Sequence, residues 1–159
     1  MDRTADMIIR RHRPEDFEEI AAMRWHLKTE DMPLHTLPNQ RDFTKIYLAQ
    51  LREQQGLEQT IHWVLETAAG VEGVMTARLV AKETSLSGQN RQWGYLTNVF
   101  LAKRHRNKGH GSAMLRQVIS WAKESDLEFL LVWPSDNSIT FYRRAGFEGS
   151  GDPLTLVLA

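Results

Sequence analysis

Hydrophobic positions recur along the 159-residue chain with two spacings, and each spacing predicts a type of element. Apolar residues at every second position, which is the period of a strand, run through 61–66 and 93–101. The segment 127–133 is almost continuously apolar, as in a strand buried on both faces. Six strands are predicted in all, at residues 7–11, 61–66, 71–80, 93–101, 127–133 and 154–158.

Spacings of three and four residues predict helices between these strands. Phe17, Ile20, Ala21 and Trp25 define a first helix, and a second contains Phe43, Ile46, Tyr47 and Leu51. A third helix follows Gly111 with the apolar residues Met114, Leu115, Val118 and Ile119. A short fourth helix passes through Phe141 and Tyr142, and we expect Ser135 or Asp136 to cap it.

The predicted order is therefore β-α-α-β-β-β-α-β-α-β. The strand, helix and strand within 93–133 predict a right-handed parallel pair, because a helical crossover returns the chain to the end of the sheet where the first strand began. The other strands are most simply antiparallel. We expect an α/β (α+β) fold, a mixed, mostly antiparallel twisted sheet with helices on both faces. Neither a repeat nor a long linker divides residues 1–159, so one domain is predicted.

Composition excludes several classes of function. Lys and Arg total 20, as do Asp and Glu, and a net charge of zero disfavours nucleic acid and anionic membranes as partners. Cysteine is absent, which excludes disulfides, a thiolate nucleophile and thiolate zinc sites, and the six histidines lack metal-ligand spacing. We expect no metal. Without a secretory signal or a long apolar run, a soluble cytoplasmic protein is expected.

The sharpest chemical signal lies between the strand at 93–101 and the third helix. The chain there reads Arg106-Asn107-Lys108-Gly109-His110-Gly111-Ser112. The first amides of a helix have no intrahelical acceptor and carry the positive end of its dipole, so they bind phosphate. The two glycines let a pyrophosphate approach the backbone. A Walker loop and a dinucleotide fingerprint are excluded by the spacing. For this motif alone, a helix start beside a solvated basic loop is the alternative.

The second signal is Tyr142, in the short helix that follows the 127–133 strand. By itself it could equally be a core aromatic beside Phe141. Together the two stretches resemble the GCN5-related N-acetyltransferase (GNAT) family. The residues from Arg106 to Gly111 match the family's Arg/Gln-x-x-Gly-x-Gly/Ala pyrophosphate loop, and those from Tyr142 to Phe147 match its Tyr-x-x-x-Gly-Phe element. The order of elements also fits over nearly the whole chain.

The resemblance implies transfer of an acetyl group from acetyl-CoA to a primary amine, by direct attack in a ternary complex. It implies that Tyr142 protonates the departing thiolate and that a backbone N–H near Val99 faces the thioester oxygen. Ser135 stands where the family often has an asparagine. The implied coenzyme A-binding residues are Val99, Phe100, Leu101, Arg106, Asn107, Lys108, Gly109, His110, Gly111, Ser112, Ser135 and Tyr142.

The sequence indicates the residues that bind the acceptor less specifically. From the family's pocket we expect Trp25, Glu30 and Asn98 to face the acceptor, although a tryptophan is more often a core residue. An antibiotic, a polyamine, an amino acid and a protein N-terminus all stay open as acceptors. For the general base the candidates are Glu30, Asp31, Glu66, His62 and a water chain from Asn98 and Thr97.

Two other functions compete with acetyl transfer. The same fold could serve as a non-catalytic acyl-CoA-binding or sensing module, which would not need a proton donor at Tyr142. The basic loop at 103–108 could bind nucleic acid, although such a charge run is usually a solvated face. We therefore expect a small-molecule or peptide amine as partner, with no nucleic acid and no membrane. A homodimer is a further expectation, since dimers are common in the family.

Overall fold

The structure is a computed structural model that describes residues 7–88, 91–149 and 153–158. It contains the predicted ten elements in the predicted order, together with three short 3-10 turns at Pro14–Asp16, Leu34–Thr36 and Lys103–His105. The strands are β1 (Ile8–Arg11), β2 (Thr60–Thr67), β3 (Gly70–Ala81), β4 (Gln92–Leu101), β5 (Phe129–Val132) and β6 (Leu154–Val157). The helices are α1 (Phe17–Thr29), α2 (Gln40–Gly56), α3 (His110–Glu124) and α4 (Ile139–Arg144).

The six strands form one sheet in the order β1-β2-β3-β4-β5-β6. Strands β4 and β5 are parallel and every other neighbouring pair is antiparallel, which confirms the predicted mixed sheet. Helix α3 provides the crossover between the two parallel strands. The start of α4 differs from the prediction: its N-cap is Ser138, whose hydroxyl donates to the Ser135 carbonyl, so the polar residues before it form a turn rather than the cap.

Helices cover both faces of the sheet, as expected. On one face Phe17, Ile20 and Ala21 of α1 and Leu48 and Leu51 of α2 pack against the sheet. On the other face α3 buries one stripe of side chains, namely Met114, Leu115, Val118 and Ala122. Apolar burial on both faces is the main source of stability for such a three-layer arrangement.

A β-bulge interrupts β4 and changes the predicted alternation. Val74 of β3 pairs with Phe100, but Thr76 pairs with Thr97, so Asn98 and Val99 together lie opposite one residue of β3. Asn98 has a positive φ of 48°, which belongs to the left-handed region. The prediction of regular alternation from residue 93 to 101 is therefore wrong at this point. Past the bulge, Val99 packs against the α3 side, whereas Thr97 lines a cavity beside α2.

The two parallel strands diverge immediately after this pairing. Gly94, Tyr95 and Leu96 of β4 pair with Leu130, Leu131 and Val132 of β5, and β5 then ends. Strand β4 continues for five more residues to Leu101 without a partner on that side. The result is a gap whose floor is the backbone of Thr97–Leu101 and whose mouth is the start of α3.

Two further properties concern the described part of the chain. No helix in the described ranges has both the length and the apolar character needed to cross a membrane. Among the same residues, no three His, Asp or Glu side chains gather into a group that could hold a metal ion.

Candidate active site

The loop before α3 presents unpaired backbone donors at the mouth of the gap. Gly109 is the N-cap of α3 with φ 83°, and Asn107 also has a left-handed φ of 57°. The first amide to find an acceptor within the helix is that of Ala113, which donates to the Gly109 carbonyl. The preceding amides of His110, Gly111 and Ser112 have no acceptor among the described residues. Their free N–H groups and the helix dipole form an anion-binding site.

A cavity of about 520 Å³ lies directly against these amides. The bulged end of β4 forms one wall and the start of α3 forms another, with Phe141 and Arg144 of α4 closing the third side. A Cβ atom at Gly109 would meet nothing within 4 Å, so this part of the loop is open to a ligand. Arg144 forms no ion pair with a described residue and is available to a phosphate. These features fit the diphosphate and pantetheine arm of coenzyme A.

Arg106 does not point freely into this cavity. Its guanidinium forms a two-point ion pair with Glu30, with Nη1 and Nη2 at 2.7 Å and 3.0 Å from the two carboxylate oxygens. Its Nε donates to the Leu101 carbonyl at 2.7 Å. The Arg106 guanidinium holds the pKa of Glu30 below its usual range. The side chain thus fixes the loop against the end of α1, while the loop backbone remains exposed.

Most of the other basic residues in this loop contact acids of the same chain. Arg104 and His105 both contact Glu72 at the start of β3. Lys103 lies 3.3 Å from Glu30. This internal neutralisation weakens the electrostatic attraction for a nucleic-acid backbone. It leaves Lys108 as the loop cation that forms no ion pair with a described residue.

Tyr142 lies on the other side of the gap. It is 3% exposed, and its ring packs against Phe141 and Phe147. Burial raises the pKa of the Tyr142 phenol above its ordinary value, so the hydroxyl keeps its proton at neutral pH. The phenol lines a second cavity of about 480 Å³, which shares Val99 and Phe141 with the first. The two cavities therefore meet beside the bulge.

This second cavity continues into a third, of about 230 Å³, between α1, α2 and the sheet. Thr97 and Asn98 line both, because the bulge turns these two consecutive side chains toward the same side. The Asn98 amide donates to the Tyr47 hydroxyl at 3.4 Å, while its own carbonyl oxygen is buried without a partner among the described residues. The second and third cavities therefore form a continuous polar space on the far side of the bulge from the first cavity.

The structure brings together many of the residues predicted for cofactor binding. Those that line the first cavity are Val99, Phe100, Leu101, Arg106, Asn107, Gly109, Gly111 and Ser112. Lys108 and His110 belong to the same loop but do not line the cavity. Ser135 and Tyr142 line the second cavity instead.

The residues predicted for the acceptor are dispersed. Asn98 lines both acceptor-side cavities, but Glu30 is engaged by Arg106. Trp25 is 6% exposed, packs against Phe43 of α2 and lines none of these cavities. The lining residues that were not predicted from the sequence include Arg24, Lys28, Tyr47 and Arg78. Arg24 and Lys28 follow the buried Ile20 and Ala21 at helical spacing, which is the one signal that could have found them.

The candidate bases are also separated from the gap. Glu66 pairs with Arg10 at 2.6 Å, and Asp31 is exposed. His62 is buried, and its Nδ1 lies 2.7 Å from the Thr76 hydroxyl, which lines the third cavity. Burial lowers the pKa of His62 to about 3, so the ring is neutral and a weak proton acceptor. No Asp or Glu lines either acceptor-side cavity in the described part of the chain.

The family model described as the acetyltransferase (GNAT) family matches residues 20–147. The chain belongs to this family, whose members use acetyl-CoA as cosubstrate. No curated protein matches the chain.

Solved structures with the same fold have low sequence identity to this chain. A predicted acetyltransferase from Clostridium acetobutylicum, solved with acetyl-CoA, has a TM-score of 0.71 at 16% identity, covering 92% of this chain and 93% of its own. A GNAT family acetyltransferase from Brucella melitensis in complex with acetyl-CoA has a TM-score of 0.67 at 20% identity, covering 97% and 89%. The glucosamine-6-phosphate N-acetyltransferase of Arabidopsis thaliana has a TM-score of 0.66 at 14% identity, covering 92% and 94%. At these identities the likeness shows the fold.

Proposed function

We propose that this protein is an acetyl-CoA-dependent N-acetyltransferase that acetylates a primary amine by direct attack in a ternary complex. The observation that carries the proposal is the meeting of the amide-lined cavity and the acceptor-side cavity at Val99 and Phe141. A donor and an acceptor bound in the two cavities would meet at this point. Attack within a ternary complex also suits a chain that has no cysteine to carry an acetyl group.

Backbone groups, more than side chains, would bind the donor. The free amides at the start of α3 would hold the diphosphate, with Arg144 and Lys108 supplying positive charge. The unpaired edge of β4 from Thr97 to Leu101 would hydrogen-bond the pantetheine arm. A backbone N–H near Val99 would face the thioester oxygen, where one such donor contributes about 2.7–4 kcal/mol to catalysis in tested enzymes.

When bound, acetyl-CoA supplies an acetyl group already activated as a thioester. Tyr142 would donate its proton to the sulfur as the new N–C bond forms and the C–S bond breaks. The amine nitrogen would lose one proton to solvent in the same reaction, and the phenol would regain its own from solvent. Arg24 and Arg78 around the acceptor cavity favour the neutral form of the amine, because like charges disfavour an ammonium ion. This field would partly replace the missing carboxylate base.

The test is release of free coenzyme A from acetyl-CoA in the presence of a panel of primary amines, with thermal stabilisation by acetyl-CoA measured in parallel. Amine-dependent thiol release together with stabilisation is the expected result. Stabilisation without release for any amine would point to the alternative, a non-catalytic acyl-CoA-binding module. An absence of stabilisation by acetyl-CoA would overturn the assignment of the loop.

A further inference from the structure

Two arginines line the acceptor side, and neither forms an ion pair with a carboxylate of the described residues. Arg24 of α1 and Arg78 of β3 both face the cavity of about 230 Å³ beside Asn98. The Nε of Arg78 is buried and has no hydrogen-bond acceptor among the described residues. A buried guanidinium N–H normally has an acceptor, since leaving it unpaired is unfavourable. The Arg78 side chain also lines the cavity, so its guanidinium group is in place to bind a ligand anion there.

The charge of the surrounding cavity points to the same ligand chemistry. Arg24 contributes to both acceptor-side cavities and Lys28 to the larger one, while neither cavity is lined by Asp or Glu. The guanidinium groups of Arg24 and Arg78 are both close enough to act on the phenol of Tyr47. Burial raises the pKa of this phenol, and the positive charge of the two arginines partly opposes that rise. Polycationic amines are disfavoured in such a field, and an anionic group is favoured.

A hydrogen-bond acceptor for the amine lies close by on the neighbouring strand. The Asn98 side-chain oxygen is buried and unpartnered in the described chain, and it borders the cavity that contains Tyr142. Asn98 follows Thr97, which pairs with Thr76, and Arg78 is two residues further along β3. Asn98 and Arg78 line the same cavity of about 230 Å³, so one small molecule can reach both side chains.

We infer that the acceptor is a small primary amine that also carries an anionic group, a carboxylate or a phosphate, bound by Arg24 and Arg78. Its nitrogen lies at the Asn98 oxygen and points toward the cavity junction. This inference rests on the proposed acetyl transfer for its reaction, but its binding half can be measured without turnover.

The experiment compares matched pairs of amines that differ in the anionic group. The pairs are β-alanine with β-alaninamide and phosphoethanolamine with ethanolamine, and thiol release from acetyl-CoA gives kcat/KM for each. We expect the anionic member of at least one pair to exceed its partner by roughly 10–100-fold, which corresponds to one charged hydrogen-bonded contact. The pair with the larger ratio distinguishes carboxylate from phosphate. Equal or higher kcat/KM for the neutral members would overturn the inference while leaving acetyl transfer intact.

Variants of the two arginines distinguish an anionic acceptor from a neutral one. Arg78→Gln and Arg24→Gln should each raise KM for the anionic acceptor by a larger factor than KM for its neutral partner. Arg116→Gln, on the exposed face of α3, is the matched control and should change neither.

If no amine is acetylated, binding decides the question. With the protein saturated by coenzyme A, inorganic phosphate and β-alanine are tested by thermal shift. Stabilisation that is lost in Arg78→Gln but kept in Arg116→Gln supports the anion site even where acetyl transfer fails. No stabilisation by either probe would overturn it.

Discussion

Arg106 and Glu30 join two parts of the chain that are 76 residues apart in sequence, through two hydrogen bonds of 2.7 Å and 3.0 Å. Arg106 belongs to the loop that presents the free amides, and Glu30 is the C-cap residue of α1. Helix α1 also carries Arg24 and Lys28 into the acceptor-side cavities. The ion pair therefore connects the loop proposed to bind the donor with the helix that lines the proposed acceptor site.

Replacing Glu30 with Gln should weaken acetyl-CoA binding several-fold, although Glu30 lines no part of the donor cavity. The loop would lose one charged anchor, while the guanidinium of Arg106 would be left partly unpaired. Isothermal calorimetry with acetyl-CoA measures the change. Asp31→Asn removes the neighbouring exposed charge and should leave affinity unchanged. Equal affinities for the two variants would contradict a positioning role for the pair.

The same pair should make stability depend on pH. The pKa of Glu30 is lowered in the folded protein, so its contribution is present above the unfolded value, near 4.3, and is lost as pH falls through the folded pKa. The difference in unfolding free energy between wild type and Glu30→Gln should thus be constant near pH 7 and shrink below about pH 4. Urea unfolding across this range is the measurement. A difference that grows in acid would reverse the sign and rule out the explanation.

Tyr142→Phe should lower kcat by roughly 100-fold or more, the usual contribution of a general acid. Affinity for acetyl-CoA should stay within about two-fold, since the phenol lines the acceptor side of the junction. The raised pKa predicts no loss of kcat through ionisation of this phenol up to about pH 10. Steady-state kinetics and calorimetry together check this, and an unchanged kcat would remove Tyr142 from the mechanism.

Gly111→Trp should abolish stabilisation by acetyl-CoA without unfolding the protein. A Cβ at Gly111 would lie 3.5 Å and 3.7 Å from two carbons of the Phe141 ring, which is ordinary contact, but an indole would fill the donor cavity. Gly111→Ala is the matched control and should retain most of the binding. Normal stabilisation of the Trp variant in a thermal-shift assay would place the coenzyme elsewhere.

Asn98→Val should destabilise the protein by about 1–3 kcal/mol, because a β-branched residue is strained at a φ of 48°. Asn98→Gly accepts this backbone conformation and should recover much of that stability. Both variants lose the side-chain oxygen that faces the acceptor cavity, so both should be poor catalysts. Chemical denaturation and kcat/KM measured on the same samples separate the two effects. Similar stabilities for the Val and Gly variants would exclude backbone strain at this residue.

The sequence was sufficient for those features that depend on local pattern. Periodicity predicted the order of the ten elements, and β4 and β5 are parallel because a helix of the expected length connects them. The loop at 106–112 was predicted because free amides at a helix start are a consequence of local geometry. Gly109 and Asn107 indeed adopt left-handed conformations there.

Features that depend on contacts between distant segments were not predictable in this way. The bulge at Asn98 and Val99 leaves no mark in the alternation of apolar residues, so Thr97 and Val99 were expected on one face. Arg106 was expected to face a phosphate, but its partner is Glu30, which only the fold brings near. Arg24 and Arg78 are ordinary surface-type residues until α1 and β3 are packed side by side.

Because β4 contains one extra residue, the gap between β4 and β5 depends on the number of residues in this stretch rather than on which side chains they carry. Apolar substitutions at Val99, Phe100 or Leu101 leave the main-chain groups in place. Deleting one residue here would restore a regular ladder with β3, turn Asn98 toward α3 and bring the following carbonyls and amides out of phase with the loop. Distant homologues should therefore vary in residue type along this stretch while sharing its length, and alignments that place a gap within it would pair the wrong positions.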